Sequence, residues 1–479
     1  MVIDLKLFDW RCLIRLLQSA TWDLKFRRGG FMISRSHGVL LKIVSLAILI
    51  LLVGMPEAMV LAFPPVQRTV LPNGLVLLVC EEHSLPIVTL QFLTDSGSRK
   101  DPPGGEGVAH LTARGLLLGT SRHNVSTINE ELDFMGASLD AGADQDYAAL
   151  SLRMLKKDLD QGLDLFLDAL TQPIFPEEEI KREIEKTLAA IQSSEDQPEA
   201  VAEKDFQRAL FLNSPYGHPV EGTRESLGRM TREAITQFYR TYYHPNNSIL
   251  VVVGDLTAEE VRNQLLPRLT GWPSVEIPER PSKITFAEGP KEVKIDRSIT
   301  QANIILGHAG VARSNPDYYA LTVMNYVLGS GGFASRLVEE IRNKRGLAYS
   351  VTSFFNPGKD PGSFQVVLQT KNSTAREAIS LSLREMERIE KELVSEKELE
   401  GAKKYLTGSF PMRFNTQAKL TQFLSQVEYY GLGLDYPERY PSLINSITRE
   451  EVLRVAKTYL HPERVILVVV GNLKEAGME

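Results

Sequence analysis

A long-range repetition constrains this 479-residue chain more than any other feature. Thr231–Leu256, TREAITQFYRTYYHPNNSILVVVGDL, aligns without gaps on Thr448–Leu473, TREEVLRVAKTYLHPERVILVVVGNL, with fourteen of the 26 positions identical. The offset of 217 residues is too long for a solenoid repeat, so it marks a duplicated domain. Each copy reads as a helix opened by a Thr cap, a His-Pro turn that stops it, and an apolar strand. His244 and His461 hold the same place in both copies, which assigns them to the turn rather than to a metal.

The same order of elements precedes each copy. RTVLPNGLVLLVCEE has the Asn73-Gly74 signature of a hairpin, and PIVTLQFLTDSG and ASLDAGADQDYAALSLRML read as further strands. KKDLDQGLDLFLDALTQP and PEEEIKREIEKTLAAIQSSED carry helical spacing. In the second half TQANIILGHAG, GLAYSVTSFF and GSFQVVLQT are strands, and TAREAISLSLREMERIEKEL and SEKELEGAKKYLTGSF are helices. Strands and helices that cluster rather than alternate indicate an α+β fold. The expectation is two homologous domains, residues 63–270 and 291–479, each a mostly antiparallel sheet with helices packed on it, joined as a clamshell-like pair. The Pro-rich, charged stretch TGWPSVEIPERPSKITFAEGPKEVKID reads as the connection, with the linker at 271–290.

With 54 basic against 60 acidic residues the net charge is −6, which does not suit a nucleic-acid binder. Cys12 and Cys80 are the two cysteines, too few for a disulfide scaffold or a Cys-based zinc site. Ile43–Val53, IVSLAILILLV, is a short apolar run behind Arg35 and Lys42, followed by small residues near Ala62. That pattern reads residues 1–62 as a secretory leader. Met32 is its better start, which leaves 1–31 as a mis-assigned beginning. The expected location is outside the cytoplasm, in a bacterial periplasm, with an uncleaved inner-membrane anchor as the alternative.

GEGVAHLTARGLLLGTS, Gly105–Ser121, is a Gly-rich entry, a histidine and an apolar helical run. An inverted zinc motif, His-x-x-Glu-His, places two His ligands at i and i+4 on one helical face and a general base at i+3. Here the five positions read His110-Leu111-Thr112-Ala113-Arg114. Ala113 cannot accept a proton, and Arg114 is a permanent cation.

Taken together, GVAHLTARGLLLGT, LDFMGASLDAGADQDY, SPYGHPVEG, both HP…ILVVVG ends and LGSGGFASRLVEEIRNKRGLAYSV resemble the pitrilysin/insulinase family of zinc peptidases. The similarity is to its processing-peptidase-like branch and covers residues 66–475. The resemblance implies a third zinc ligand, a Glu, at the position of Ala190, with Glu183 retained seven residues earlier. Two of three ligands and the base are therefore absent, and no metal or other cofactor is expected on this chain. Arg114 is expected to fill the vacated position and pair with Glu183.

The resemblance also implies roles for residues that are present. Arg345 and Tyr349 match an Arg/Tyr pair that this family brings to the active site from its C-terminal half. A guanidinium supplies fixed donors for substrate carbonyls, and a phenol can donate to an oxyanion. Gly329, Gly331 and Gly332 match a flexible glycine-rich turn before a helix near the substrate chamber. Ala141, Gly142 and Ala143 fall on a stretch, Ala141–Asp146, matching an edge strand to which substrates add.

Loss of the metal site beside a retained Arg/Tyr pair implies a division of labour. The expected partner is a homologous zinc-bearing chain in a heterodimer, acting on unfolded peptides. This chain would be inactive alone and assist hydrolysis in trans. The alternatives are a non-proteolytic core subunit and an independent metallopeptidase with an atypical site.

Overall fold

Both copies of the ILVVVG strand are buried along their whole length. A strand apolar on both sides needs cover on both faces of its sheet, and the architecture supplies it. The structure, a computed structural model, describes residues 63–479 apart from 213, 270 and 280–283. The first sheet contains β1 (Val66–Val70), β2 (Val76–Glu81), β3 (Ile87–Thr94), β4 (Ser138–Ala143), β5 (Ala148–Leu155) and β6 (Ser248–Gly254), in the order β1-β2-β6-β3-β5-β4. The second contains β7 (Lys291–Asp296), β8 (Gln301–Ala309), β9 (Ala348–Asn356), β10 (Ser363–Lys371) and β11 (Ile466–Gly471), in the order β7-β11-β8-β10-β9.

Without β1, the two orders are the same path. The duplication visible in 26 residues therefore extends through both sheets, and β4 and β9 are equivalent edge strands. The fold is α+β with two related halves, as expected. Each sheet is antiparallel except for one pair, β2 with β6 and β7 with β11. Those pairs close the longest excursions of each half, where a crossover through helices permits parallel pairing.

The cover on each strand comes from different halves. Alternate residues of β6 separate: Leu250 and Val252 pack in the first half's own core, while Ile249, Val251 and Val253 join the core of the second half. The helix that reaches across is Gln417–Tyr429, which packs on β6 and β3. The exchange is reciprocal, because helix Pro198–Phe211 from the first half packs on β11 and β8. Phe206 of that helix meets Ile305, Ile466, Val468 and Val470 in one cluster. The strands of the two sheets divide between Gly254 and Lys291, yet packing makes 63–479 one compact unit.

Two local readings need correction. Lys291–Asp296, the tail of the charged connecting stretch, is strand β7, because its backbone finds a partner in β11. ASLDAGADQDYAALSLRML is a hairpin, β4 and β5, turned where the Asp144 carboxylate accepts from the amides of Asp146 and Tyr147. The leader expected over 1–62 lies outside the described residues. Among the described residues no helix is long and apolar enough to cross a membrane.

Candidate functional site

Helix Val108–Gly115 carries the degenerate metal motif. It starts at Gly107, whose φ of 93° favours glycine. The Asp101 carboxylate accepts from the amides of Gly107 (2.7 Å) and Ala109 (2.9 Å), satisfying the open helix end. At the far end a side chain on Gly115 would strike the Phe175 ring at 2.7 Å, which presses the helix against its support. Ala113 is fully buried in this packing.

Arg114 occupies the polar side. Its Nε donates to Glu183 Oε1 at 3.0 Å and its Nη1 to the Ala141 carbonyl at 3.1 Å. Lys186 lies 3.6 Å from the other Glu183 oxygen. Helix Glu177–Glu195 presents Glu183 buried and Ala190, two turns later, exposed. His110 is half-buried; burial, with the charge of Arg114 adding to it, holds its pKa below the ordinary value against the pull of Glu221. The imidazole is thus neutral at pH 7.

The residues present do not fit zinc. His110 and Glu183 are the remaining donors, and a guanidinium already holds Glu183. Among the described residues no group of three His, Cys, Asp or Glu side chains could hold a metal ion. The locus is an ion pair that ties helix to helix and helix to edge strand β4. Along that strand Ala141 is buried, Ala143 half-buried, and Gly142 faces open space.

The equivalent edge of the second half is arranged differently. Tyr349, near the start of β9, is 80% exposed. The Arg342 guanidinium lies 4.8 Å from its ring and 4.7 Å from the ring of Phe333, itself exposed. Arg345 Nη1 donates to the Glu340 carbonyl (3.0 Å) and carboxylate (2.7 Å). Bonds from Lys344 and Arg345 hold the Glu340 carboxyl below the usual range. The result is a cationic, aromatic-capped surface with the Tyr349 phenol facing solvent.

Phe333 and Arg342 were not singled out in the sequence. A phenylalanine directly after Gly331-Gly332 in a polar stretch was the available sign. The glycine-rich segment is helical rather than a flexible turn: Tyr326–Ser330 and Val338–Asn343 are wide π-type turns, with a 3₁₀ turn between them. Close approach accounts for two of its glycines. A side chain on Gly329 would come within 2.3 Å of Ser353 Oγ, and one on Gly331 within 2.6 Å of the Tyr326 carbonyl. Gly332 turns at φ 55° in open space.

Among the described residues no hydrogen bond, ion pair or ring contact joins the Arg114–Glu183 pair to the Arg345–Tyr349 cluster. A buried polar link between the halves lies elsewhere, at the β4–β5 turn, in addition to the Arg68–Glu428 ion pair. Asp146, 4% exposed, accepts from the hydroxyls of Tyr216 and Tyr430 and from the Lys359 amide at 2.7 Å. Tyr429 donates to Asp95 at 2.6 Å, beside Arg99 and Lys359. Burial opposes the charge of Asp95, but those cations outweigh it and lower its pKa.

Sequence comparison places this geometry in a family. The description "Insulinase (Peptidase family M16)" matches residues 77–224, and "Peptidase M16 inactive domain" matches residues 229–406. The chain is 28% identical, over 417 residues, to a Streptomyces coelicolor protein named uncharacterized zinc protease SCO5738, covering 86% of this chain and 90% of that one. It is 26% identical, over 396 residues, to the "Non-peptidase homolog YmxG" of Helicobacter pylori, covering 82% and 91%. A crystal structure titled "peptidase M16 inactive domain", from Pseudomonas fluorescens, superposes with a TM-score of 0.78 at 28% identity, covering 85% of this chain and 98% of that one. With Ala113, Arg114 and Ala190 at the positions expected for a base and two ligands, this chain belongs to the insulinase family (peptidase family M16).

Proposed function

We propose that the chain is the zinc-free subunit of a heteromeric metallopeptidase, gripping peptide and stabilising an oxyanion for a homologous, metal-bearing partner. One observation carries this reading. The Tyr349 hydroxyl stands exposed and without a hydrogen-bond partner among the described residues, with the Arg342 guanidinium over its ring, while the metal-motif helix of the same chain is closed by Arg114. A phenol O–H facing solvent costs nothing to reorient and can donate to charge that develops on a carbonyl oxygen. Arg342 and Arg345 supply donors for substrate carbonyls, Arg345 after exchanging its Glu340 contact for substrate. Proton transfer and the metal reside on the partner, and export places the pair outside the cytoplasm.

The test mixes purified chains and assays peptide hydrolysis. Activity arises in the mixture alone, and Tyr349→Phe lowers it roughly 100-fold or more. Robust hydrolysis by this chain alone, or a mixture indifferent to Tyr349→Phe, removes the reading. A second reading, a non-proteolytic core subunit, is favoured by the two hydrogen bonds that Arg345 donates to Glu340. In that case the complex forms without any hydrolysis that depends on Tyr349.

A further inference from the structure

Helix Gln417–Tyr429, which crosses to the first sheet, also walls a cavity of about 480 Å³. Three cations line it, Arg313, Arg413 and Lys419, and no Asp or Glu does. Their contacts are with neutral groups. Arg313 stacks 3.8 Å from the Tyr318 ring and donates to the Tyr436 hydroxyl at 3.3 Å. Arg413 lies over the rings of Phe410 and Tyr440 at 5.3 and 5.5 Å. Lys419 donates to the Met412 carbonyl and the Asn415 side chain. Among the described residues none of the three forms an ion pair, whereas nearby Arg68 and Arg454 are each matched to a carboxylate. In a chain with more acidic than basic residues, three unmatched cations around one cavity create a local field for an anion.

The rest of the lining narrows the ligand. Phe423, Val427 and Leu432 give the cavity an apolar wall beside the charges, which suits an occupant with an anionic group next to an apolar one. The stacking of Arg313 among tyrosines fixes its fork in advance, which limits the ordering cost of binding. Pro357 on the rim directly follows β9, whose start bears Tyr349. Eight residue steps along the chain separate the two, roughly 26 Å at about 3.3 Å per residue.

We propose that this cavity anchors the C-terminal carboxylate of a peptide together with its last apolar side chain. The inference rests on the peptide-handling reading and adds an end-binding site one strand length from Tyr349. It predicts a preference for peptides with free C-termini and an apolar final residue.

The test titrates dansylated Ala-Ala-Ala-Leu-Leu, as the free acid and as the C-terminal amide, into the full chain alone at low ionic strength. The expected result is at least tenfold tighter binding of the acid, with that preference lost in the R413Q/K419Q double variant. Both substitutions are at exposed positions, and circular dichroism confirms the fold. Equal binding of acid and amide overturns the proposal, as does a preference that survives the double variant. Displacement by inorganic phosphate at the concentration where the free acid itself binds also overturns it, reassigning the cavity to small anions. No partner is present, so loss of the split-site reading and loss of this one are separate outcomes.

Discussion

Edge strands β4 and β9 occupy equivalent places in two related sheets, and the chain treats them in opposite ways. At β4 the functional cation is satisfied internally: Arg114 spends its donors on Glu183 and the Ala141 carbonyl. At β9 the phenol of Tyr349 and the face of Arg342 remain open to solvent. Closing an ion pair within the fold makes Arg114 a brace between two helices and the edge strand. An exposed aromatic contributes little to the stability of the fold. One scaffold thus braces one edge and leaves the other open, although both strands also feed the cores, β4 through Leu139 and Ala141 and β9 through Ala348 and Val351.

The most severe test of this contrast is to reopen the first edge. Arg114→His together with Ala190→Glu supplies three ligands with His110 and leaves packed Ala113 untouched. The expected outcome is stoichiometric zinc uptake by the double variant against none by the parent, read by zinc titration. Failure would mean that the backbone, and not the side chains alone, has moved away from coordination geometry.

The next test separates the halves. Asp146→Ala removes a buried carboxylate and strands Tyr216, Tyr430 and the Lys359 amide. It should cost about 3–5 kcal/mol, with calorimetry resolving two transitions in place of one. A single transition of unchanged midpoint would show that the exchanged helices alone join the halves.

A third distinguishes the two turn histidines. His244 bonds locally, to the carbonyls of Arg240 and Pro273. The His461 amide instead donates to Nε2 of buried His308, whose Nδ1 lies 2.8 Å from the Ala309 carbonyl. Burial depresses the His308 pKa to about 4, so the unfolded chain takes up a proton first as the pH falls. Stability should drop from about pH 6.5 to pH 4, by at most about 3 kcal/mol, and level off below. Denaturant melts of His308→Gln should lose that slope, whereas those of His244→Gln should keep it.

The smallest effect belongs to Arg114→Ala alone. The pair is partly solvated and Lys186 remains near Glu183, so the cost should be about 1 kcal/mol in urea unfolding. A much larger loss would make the brace a main support of the first half rather than a replacement for the metal.

Much of this was legible in the sequence because it is local or repeated. The ILVVVG strands, the Thr-capped helices before them and the Asn73-Gly74 hairpin each carry their own periodicity or turn chemistry. The pairing of Arg114 with Glu183 followed from which residues had replaced ligands. The β4–β5 hairpin was harder, because AGADQD mixes small and acidic residues without an alternating pattern. Phe333 and Arg342 escaped notice because their meeting with Tyr349 depends on π-type turns that no spacing rule anticipates.

The amino-acid order by itself determined the duplication and the α+β class, since each is a property of residues at fixed offsets, and through the family resemblance it set the expectation that hydrolytic groups are missing. Only the tertiary structure decided that helices 198–211 and 417–429 are exchanged between the halves, and that Asp146 joins them. It alone decided that one edge is braced and the other open. Those outcomes depend on which apolar faces meet across long loops, where burial rather than local propensity sets the free energy.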